Sequence, residues 1–192
     1  MPENQMRALK YTGNDNYKEA YQEMIKNDFL IKWLASKNIA VIIGNYLFVH
    51  AGISVELLNS QFTVYSMNKI AREGKKYDSK NYELIFGKTG PLWYRGMVQD
   101  YKDFYKKISK NEINKILNFH SVDKIIVGHT VVDDISYDFD NKILRIDVKH
   151  GKNQFSGKTS GIYITNDSLF KIDDLGNKYK IYNMAVSEKP KE

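Results

Sequence analysis

Apolar positions in the first part of the chain recur with a helical period. Between residues 17 and 36 (YKEAYQEMIKNDFLIKWLAS), Tyr21, Met24, Ile25, Phe29, Leu30, Trp33 and Leu34 share one broad face, and lysines and acids occupy the other. This pattern predicts a helix. Asn27 and Asp28 can divide it in two, because both residues cap helices well and sit poorly inside them. The pattern then changes to two short apolar runs, IAVII and YLFV, around Gly44 and Asn45, which reads as a hairpin whose second strand ends at His50.

Further along, a helix is predicted around Val64 to Arg72, then the polar loop GKKYDSKN and the segment YELIFG. GPLWYRG (Gly90 to Gly96) is bracketed by glycines and reads as a loop. Residues 101–119 return to a helical pattern, with Ser109 and Glu112 placed as a capping box ahead of Ile113, Ile116 and Leu117. Asp123 to Val127 is a continuous apolar strand followed by Gly-His-Thr. DISYDFDNKILRID alternates as a hairpin turning at Asp140 and Asn141, and GIYITNDSLFKI as another turning at Asn166 and Asp167. Residues 185–192 read as a frayed tail. The sum is a single mixed α/β (α+β) domain over residues 1–192, with a helical lead-in over 1–40 and its strands concentrated toward the C-terminal half.

Composition narrows the chemistry. With 42% hydrophobic and 13% aromatic residues the chain can form a core, and the absence of cysteine excludes disulfides, thiolate metal sites and cysteine nucleophiles. The net charge of +6 is carried mostly by lysine and favours anionic partners, phosphate-bearing substrates included. No basic run is interleaved with stacking aromatics, so nucleic acid is not an expected partner. No apolar stretch reaches the length of a membrane span, and no membrane partner is expected. Nothing fixes a compartment: the cytoplasm is favoured, and an upstream signal peptide stays open.

The chemistry-bearing candidates are histidines. His50 follows the strand LFV and precedes Ala-Gly; His129 follows KIIVG and precedes Thr130. A strand end holds an imidazole rigidly, and a neutral imidazole offers one nitrogen to a metal and the other to an acceptor. Either histidine taken alone reads more naturally as a hydrogen-bonded structural residue. His120 ends a predicted helix, where a cation suits the dipole, and reads as structural. His150 lies in the loop VKHGKN.

LFVHAGIS resembles the "VHGG" or "VHAG" motif of calcineurin-like metallophosphoesterases. VGHT with the succeeding VVDDISYDFDNKILRID is similar to their later "GH" motif and hairpin. GPLWYRG resembles the segment that contributes a phosphate-binding arginine in bacterial Shewanella-like protein phosphatases, relatives of the serine/threonine protein phosphatases. The resemblance covers about residues 30–165. It implies the C-terminal portion of a four-layer metallophosphoesterase β-sandwich flanked by helices. It implies too that His50 and His129 ligate one of two divalent cations (Mn, Fe or Zn), and that Arg95 clamps phosphate. Gly52 and Gly128 would let backbone pass close to the metals, or simply form turns. Asp133, Asp134 and Asp147 could orient a histidine, although Asp133 and Asp134 read more naturally as solvated turn or edge acids. Lys149 and His150 occupy a stretch where relatives carry small residues; either is a candidate substrate contact, His150 first, and a solvated loop is an equally good reading of both.

The family's earlier motifs, GD-x-HG, GD-x-x-D-R-G and GNH-E/D, are missing; Gly44-Asn45 is followed by Tyr46 rather than His. The resemblance therefore implies a chain beginning downstream of them: a gene fragment or misassigned start above all, otherwise a deliberately shortened chain or a degenerate protein. It would be inactive alone, with the missing N-terminal half as a partner. The expected function is phosphomonoester hydrolysis on a phosphorylated small molecule or phosphoprotein. The alternative is a non-catalytic binding or regulatory module that keeps the fold's C-terminal half. A hydrolase using the two histidines as acid and base is a third reading, but the chain offers neither a nucleophile-elbow serine nor HExxH.

Overall fold

A computed structural model describes residues 16, 18–20, 22, 23, 28–74, 79–165 and 168–182. The chain divides into two compact units, residues 1–38 and 39–192. In the first, helix α1 (Phe29–Ala35) is preceded by helical residues at 18–20 and 22–23; the remainder of the predicted 17–36 helix lies outside the described residues. Phe29, Trp33 and Leu34 stand exposed on α1.

The second unit opens with the predicted hairpin. β1 (Ala40–Ile43) pairs antiparallel with β2 (Tyr46–Val49), from Ala40 opposite Val49 to Ile43 opposite Tyr46. Gly44 supplies a φ of +57° at the first of two loop residues, the conformation that lets so short a connection follow the strand twist. Short helices follow: α2 (Val55–Asn59), α3 (Val64–Glu73) and α4 (Ser79–Phe86). Ser54 and Thr63 cap the first two by accepting from the amides of Leu57 and Ser66. The buried Asn68 of α3 ties the helix to β1: its carbonyl oxygen accepts from the amides of Ile39 and Ala40, and its amide donates to the Ala40 carbonyl.

α5 (Lys110–His120) starts at the predicted capping box, in which the Ser109 hydroxyl accepts from the Glu112 amide and the Glu112 carboxylate accepts from the Ser109 amide. Residues 101–109, expected as its first turns, are not helical. Tyr101 and Tyr105 form a short bridge instead, and the Asp100 carboxylate accepts from the Lys107 amide at 2.6 Å. The ring of Tyr105 packs on Tyr94 and its hydroxyl accepts from the Arg95 amide, so this stretch is committed to the preceding loop.

β3 (Lys124–Val127) lies between β2 and β5 (Ile143–Arg145), parallel to both, and β4 (Ser136–Asp138) closes the sheet antiparallel to β5; the order is β1-β2-β3-β5-β4. A second sheet holds β6 (Ser160–Thr165), β7 (Ser168–Asp173) and β8 (Lys178–Lys180), all antiparallel. The turn at Asn166 and Asp167 and the tail 185–192 lie outside the described residues.

Strand alternation explains the layers. Leu47, Val49, Ile125, Val127 and Ile143 face one core with Leu57, Met67, Ile70, Ile113 and Ile116 of the helices. Tyr46, Ile126 and Leu144 face the other, against Ile162, Ile164 and Leu169 of the second sheet. Burial on both faces is why the central strands read as continuous apolar runs. The mixed α/β expectation holds, and the described residues supply helices, a five-stranded sheet and a three-stranded sheet as successive layers.

His120 corrects one expectation. It is the last residue of α5, but it is buried, its Nε2 meets no partner, and burial holds its pKa below the ordinary value of 6.5. The neutral ring is favoured there, and the dipole of the helix end does not keep it charged. The unfolded chain therefore takes up this proton more readily than the folded one, and folding stability falls as pH drops below about 6.5. His120→Leu is expected to make the decline in urea midpoint between about pH 7.5 and about pH 5 shallower than in the parent. An equal decline in both proteins would show that this ring does not titrate with unfolding.

Candidate functional site

Parallel pairing of β2 with β3 places Val49 opposite Val127, so His50 and His129 leave the same end of the sheet. The Gly128 amide donates to the His50 carbonyl at 2.9 Å, extending the ladder one step past the strands. His129 then adopts a left-handed backbone with φ +64°, a conformation that costs a non-glycine residue about 1 kcal/mol or more and that histidine visits more readily than most. Its ring meets that of His50 edge-on, with centroids 4.9 Å apart and His50 Nε2 3.1 Å from His129 Nδ1.

The loop at 90–97 completes the site. Its Pro91 carbonyl accepts from the Ala51 amide at 2.9 Å, which docks the loop onto the residues after His50. Trp93 sets its ring edge-on to His129 at 5.4 Å. Arg95 is half-buried: its amide donates to the Tyr105 hydroxyl, an Nη reaches the Trp93 carbonyl at 3.5 Å, and the guanidinium lies 5.0 Å over the Tyr101 ring. The ring beneath the guanidinium is thus Tyr101, supplied by the 101–105 stretch.

Burial holds His129 below the ordinary pKa of 6.5; the positive charge of Arg95 and the neighbouring His50 push the same way, and Asp147 opposes them. Near neutral pH this favours the uncharged ring, the form that can donate a lone pair. Asp147 is thus the acid that acts on a site histidine. Asp134 is paired with Lys171 at 2.5 Å, and Asp133 is exposed. His150 is exposed. The structure brings His50, His129 and Arg95 to one place.

A divalent cation can be tested against this geometry. Two imidazole nitrogens 3.1 Å apart, each about 2.0–2.1 Å from a common ion, would subtend about 100° at it, which suits neighbouring ligands. His50 and His129 therefore fit as two ligands of one ion. The set does not close, because among the described residues no group of three or more His, Asp or Glu side chains is arranged to hold a metal. His129 Nε2 is also buried without the acceptor that a ligating histidine ordinarily has.

Gly52 and Gly128 act between backbone segments. A Cβ on Gly52 would lie 3.0 Å from the Tyr94 carbonyl and 3.2 Å from Met97, and one on Gly128 would lie 3.3 Å from the His50 carbonyl.

No family model matches the chain. It is 26% identical over 199 aligned positions to an uncharacterized protein of Acanthamoeba polyphaga mimivirus, covering 85% of this chain and 77% of that one. Among solved structures it superposes on a mutant of a cold-active protein tyrosine phosphatase with a TM-score of 0.69 at 26% identity, covering 93% of this chain and 52% of the other. The cold-active protein tyrosine phosphatase of a psychrophilic Shewanella species gives a TM-score of 0.66 at 24% identity, again over 93% and 52%. The chain thus has the α/β fold of these phosphatases and spans about half their length. No helix among the described residues is long and apolar enough to cross a membrane.

Gly52→Ala is expected to push the 90–97 loop off the strand end. It should lower unfolding free energy by about 1–3 kcal/mol, the usual effect of overpacking, and alter Trp93 fluorescence. Unchanged stability and emission would show that the loop has room to yield.

Proposed function

We propose that this chain carries part of the catalytic centre of a metal-dependent phosphomonoesterase of the calcineurin-like type. The observation that carries the reading is the convergence of His50 and His129, 3.1 Å apart, beside Arg95. Support comes from the fold shared with proteins described as tyrosine phosphatases, which favours an aryl phosphate among possible substrates. In this reading His50 and His129 hold one divalent cation (Mn, Fe or Zn), whose charge would stabilise phosphoryl oxygens and acidify water. Arg95 binds the phosphoryl group through its planar, permanently charged fork, and Tyr101 and Tyr105 keep that fork in place. Trp93 packs against His129, edge to face, beside the pair. The further ligands of a dinuclear centre would come from segments other than the described ones.

A second reading has its own support, since no third ligand gathers among the described residues: a phosphate-binding module without turnover. Metal and phosphate binding by the 192-residue chain test the first reading, and turnover separates the two. His50→Ala and His129→Ala are each expected to weaken Zn²⁺ or Mn²⁺ binding at least about tenfold. Arg95→Ala should leave metal binding intact and weaken phosphate binding about tenfold or more. Metal affinity unchanged in both histidine variants would overturn the assignment. Hydrolysis of p-nitrophenyl phosphate by the chain with Mn²⁺, lost in either histidine variant, would exclude the module without turnover.

A further inference from the structure

A cavity of about 510 Å³ opens along the same two segments that carry the histidine site, although nothing in the site uses it. Val131 to Ser136, which follow His129, form one wall, and Val98 and Gln99, which follow Arg95, form another. Lys171 of β7, Lys180 of β8 and Tyr182 close it from the second sheet, and Arg145, the last residue of β5, lines it as well.

Arg145 is only 5% exposed. One Nη donates to the Ser136 hydroxyl at 2.7 Å, and that hydroxyl donates onward to the Asp134 carbonyl at 2.9 Å, so it neutralises no charge. The Nε is buried without a partner, and no described carboxylate forms an ion pair with the guanidinium. A guanidinium keeps its proton at any ordinary pH, and a buried charge without a counter-ion is unfavourable. The acids of the wall do not supply one. Asp134 is held by Lys171 and by the Ile135 amide, and Asp133 is exposed. Lys180 forms no ion pair with a described carboxylate, so Arg145, Lys171 and Lys180 outnumber Asp133 and Asp134 around the space.

We propose that this cavity binds a small organic oxyanion, a molecule with a carboxylate or phosphate head and an apolar body. The head supplies the counter-charge that Arg145 lacks, with Lys180 at the rim, and the body lies against Val98, Val131 and Val132. A space of this size is that of ordinary small-ligand sites, which combine an apolar lining with a few fixed polar groups. The site is distinct from the His50–His129 pair, and the proposal stands whether or not that pair binds metal.

The test uses the full chain carrying both His50→Ala and Arg95→Ala, which removes the phosphate recognition proposed for the histidine site. Calorimetric titration with phenylphosphonate and with benzoate, at fixed ionic strength, separates the two head-group chemistries. At least one is expected to bind and to raise the unfolding temperature. Adding Arg145→Gln should weaken that binding at least about tenfold, and Lys180→Ala, at an exposed position, should weaken it about twofold to fivefold. Should Arg145→Gln fail to fold, Lys180→Ala and the charge-conserving Arg145→Lys, which lacks the planar fork, carry the comparison. Without ligand, Arg145→Met should unfold at or above the parent's temperature, because it removes a buried unpaired charge. Absence of binding by both probes, or binding unaffected by every Arg145 and Lys180 variant, would overturn the proposal.

Discussion

The parallel ladder between β2 and β3 is the constraint on which the site depends. Its register, Val49 opposite Val127, is set outside the strands. The Asn45 carbonyl accepts from the Asp123 amide at 2.8 Å, and the Asn45 side chain donates to the Asp123 carboxylate at 2.9 Å. A hairpin turn is thereby fastened to the start of a strand nearly eighty positions later in sequence. At the far end the Gly128 amide and the His50 carbonyl carry the ladder one step on, and the next residue is His129. A one-residue slip would turn the Leu47 and Val49 face toward the second sheet and separate the rings. Burial on both faces of these strands opposes that slip with the whole core.

Onto this fixed edge the chain docks a loop with little regular structure of its own. The 90–97 segment is held by Pro91 against Ala51, by the close approach that Gly52 permits, and by the Tyr105 hydroxyl under the Arg95 amide. Its backbone polar groups find partners in neighbouring loops, so Arg95 and Trp93 are presented from a braced position. The aromatic stretch 101–105 braces that loop, which explains why α5 starts only at the Ser109 capping box although helical spacing extends upstream of it.

Much of this was legible in the residues because the informative signals were local. Gly44-Asn45, Asp140-Asn141 and the Ser109–Glu112 box each mark an element boundary through chemistry contained in a few residues, and each boundary lies where those residues place it. The segments misread were those whose conformation answers to distant partners. Helices α2 and α4 were not anticipated: VELLN is too short for a period to show, and YELIF gives no periodic signal of its own. Tyr101 and Tyr105 fit a helical stripe equally well, and their contacts with Tyr94 and Arg95 hold them in another conformation. At the site, a histidine after a strand was readable from local pattern, whereas the pairing of His50 with His129 came only through the family resemblance, since their adjacency is a property of strand order. Asn68 and Arg145 were invisible as determinants for the same reason: no motif in the sequence marks a polar residue that folding will bury beside a charge or a strand end.

Arginine usage shows the same logic in the distribution of charge. The sequence contains twenty-five lysines and only Arg7, Arg72, Arg95 and Arg145 as arginines. Arg72 is exposed on α3, and Arg7 lies outside the described residues. The remaining two are drawn inward, Arg95 half-buried over Tyr101 and Arg145 almost wholly buried behind Ser136. A lysine at either place could shed its proton when desolvated, whereas a guanidinium cannot, and its flat fork is more weakly hydrated and hence easier to bury. Lysine thus carries most of the solvated charge, and arginine stands at the two positions where a permanent, oriented positive charge is held close to the core. Neither has a carboxylate partner among the described residues. Two guanidinium groups without carboxylate partners flank the segment from His129 to Ser136, and the positive charge they place at this end of the sheet does not depend on a bound metal.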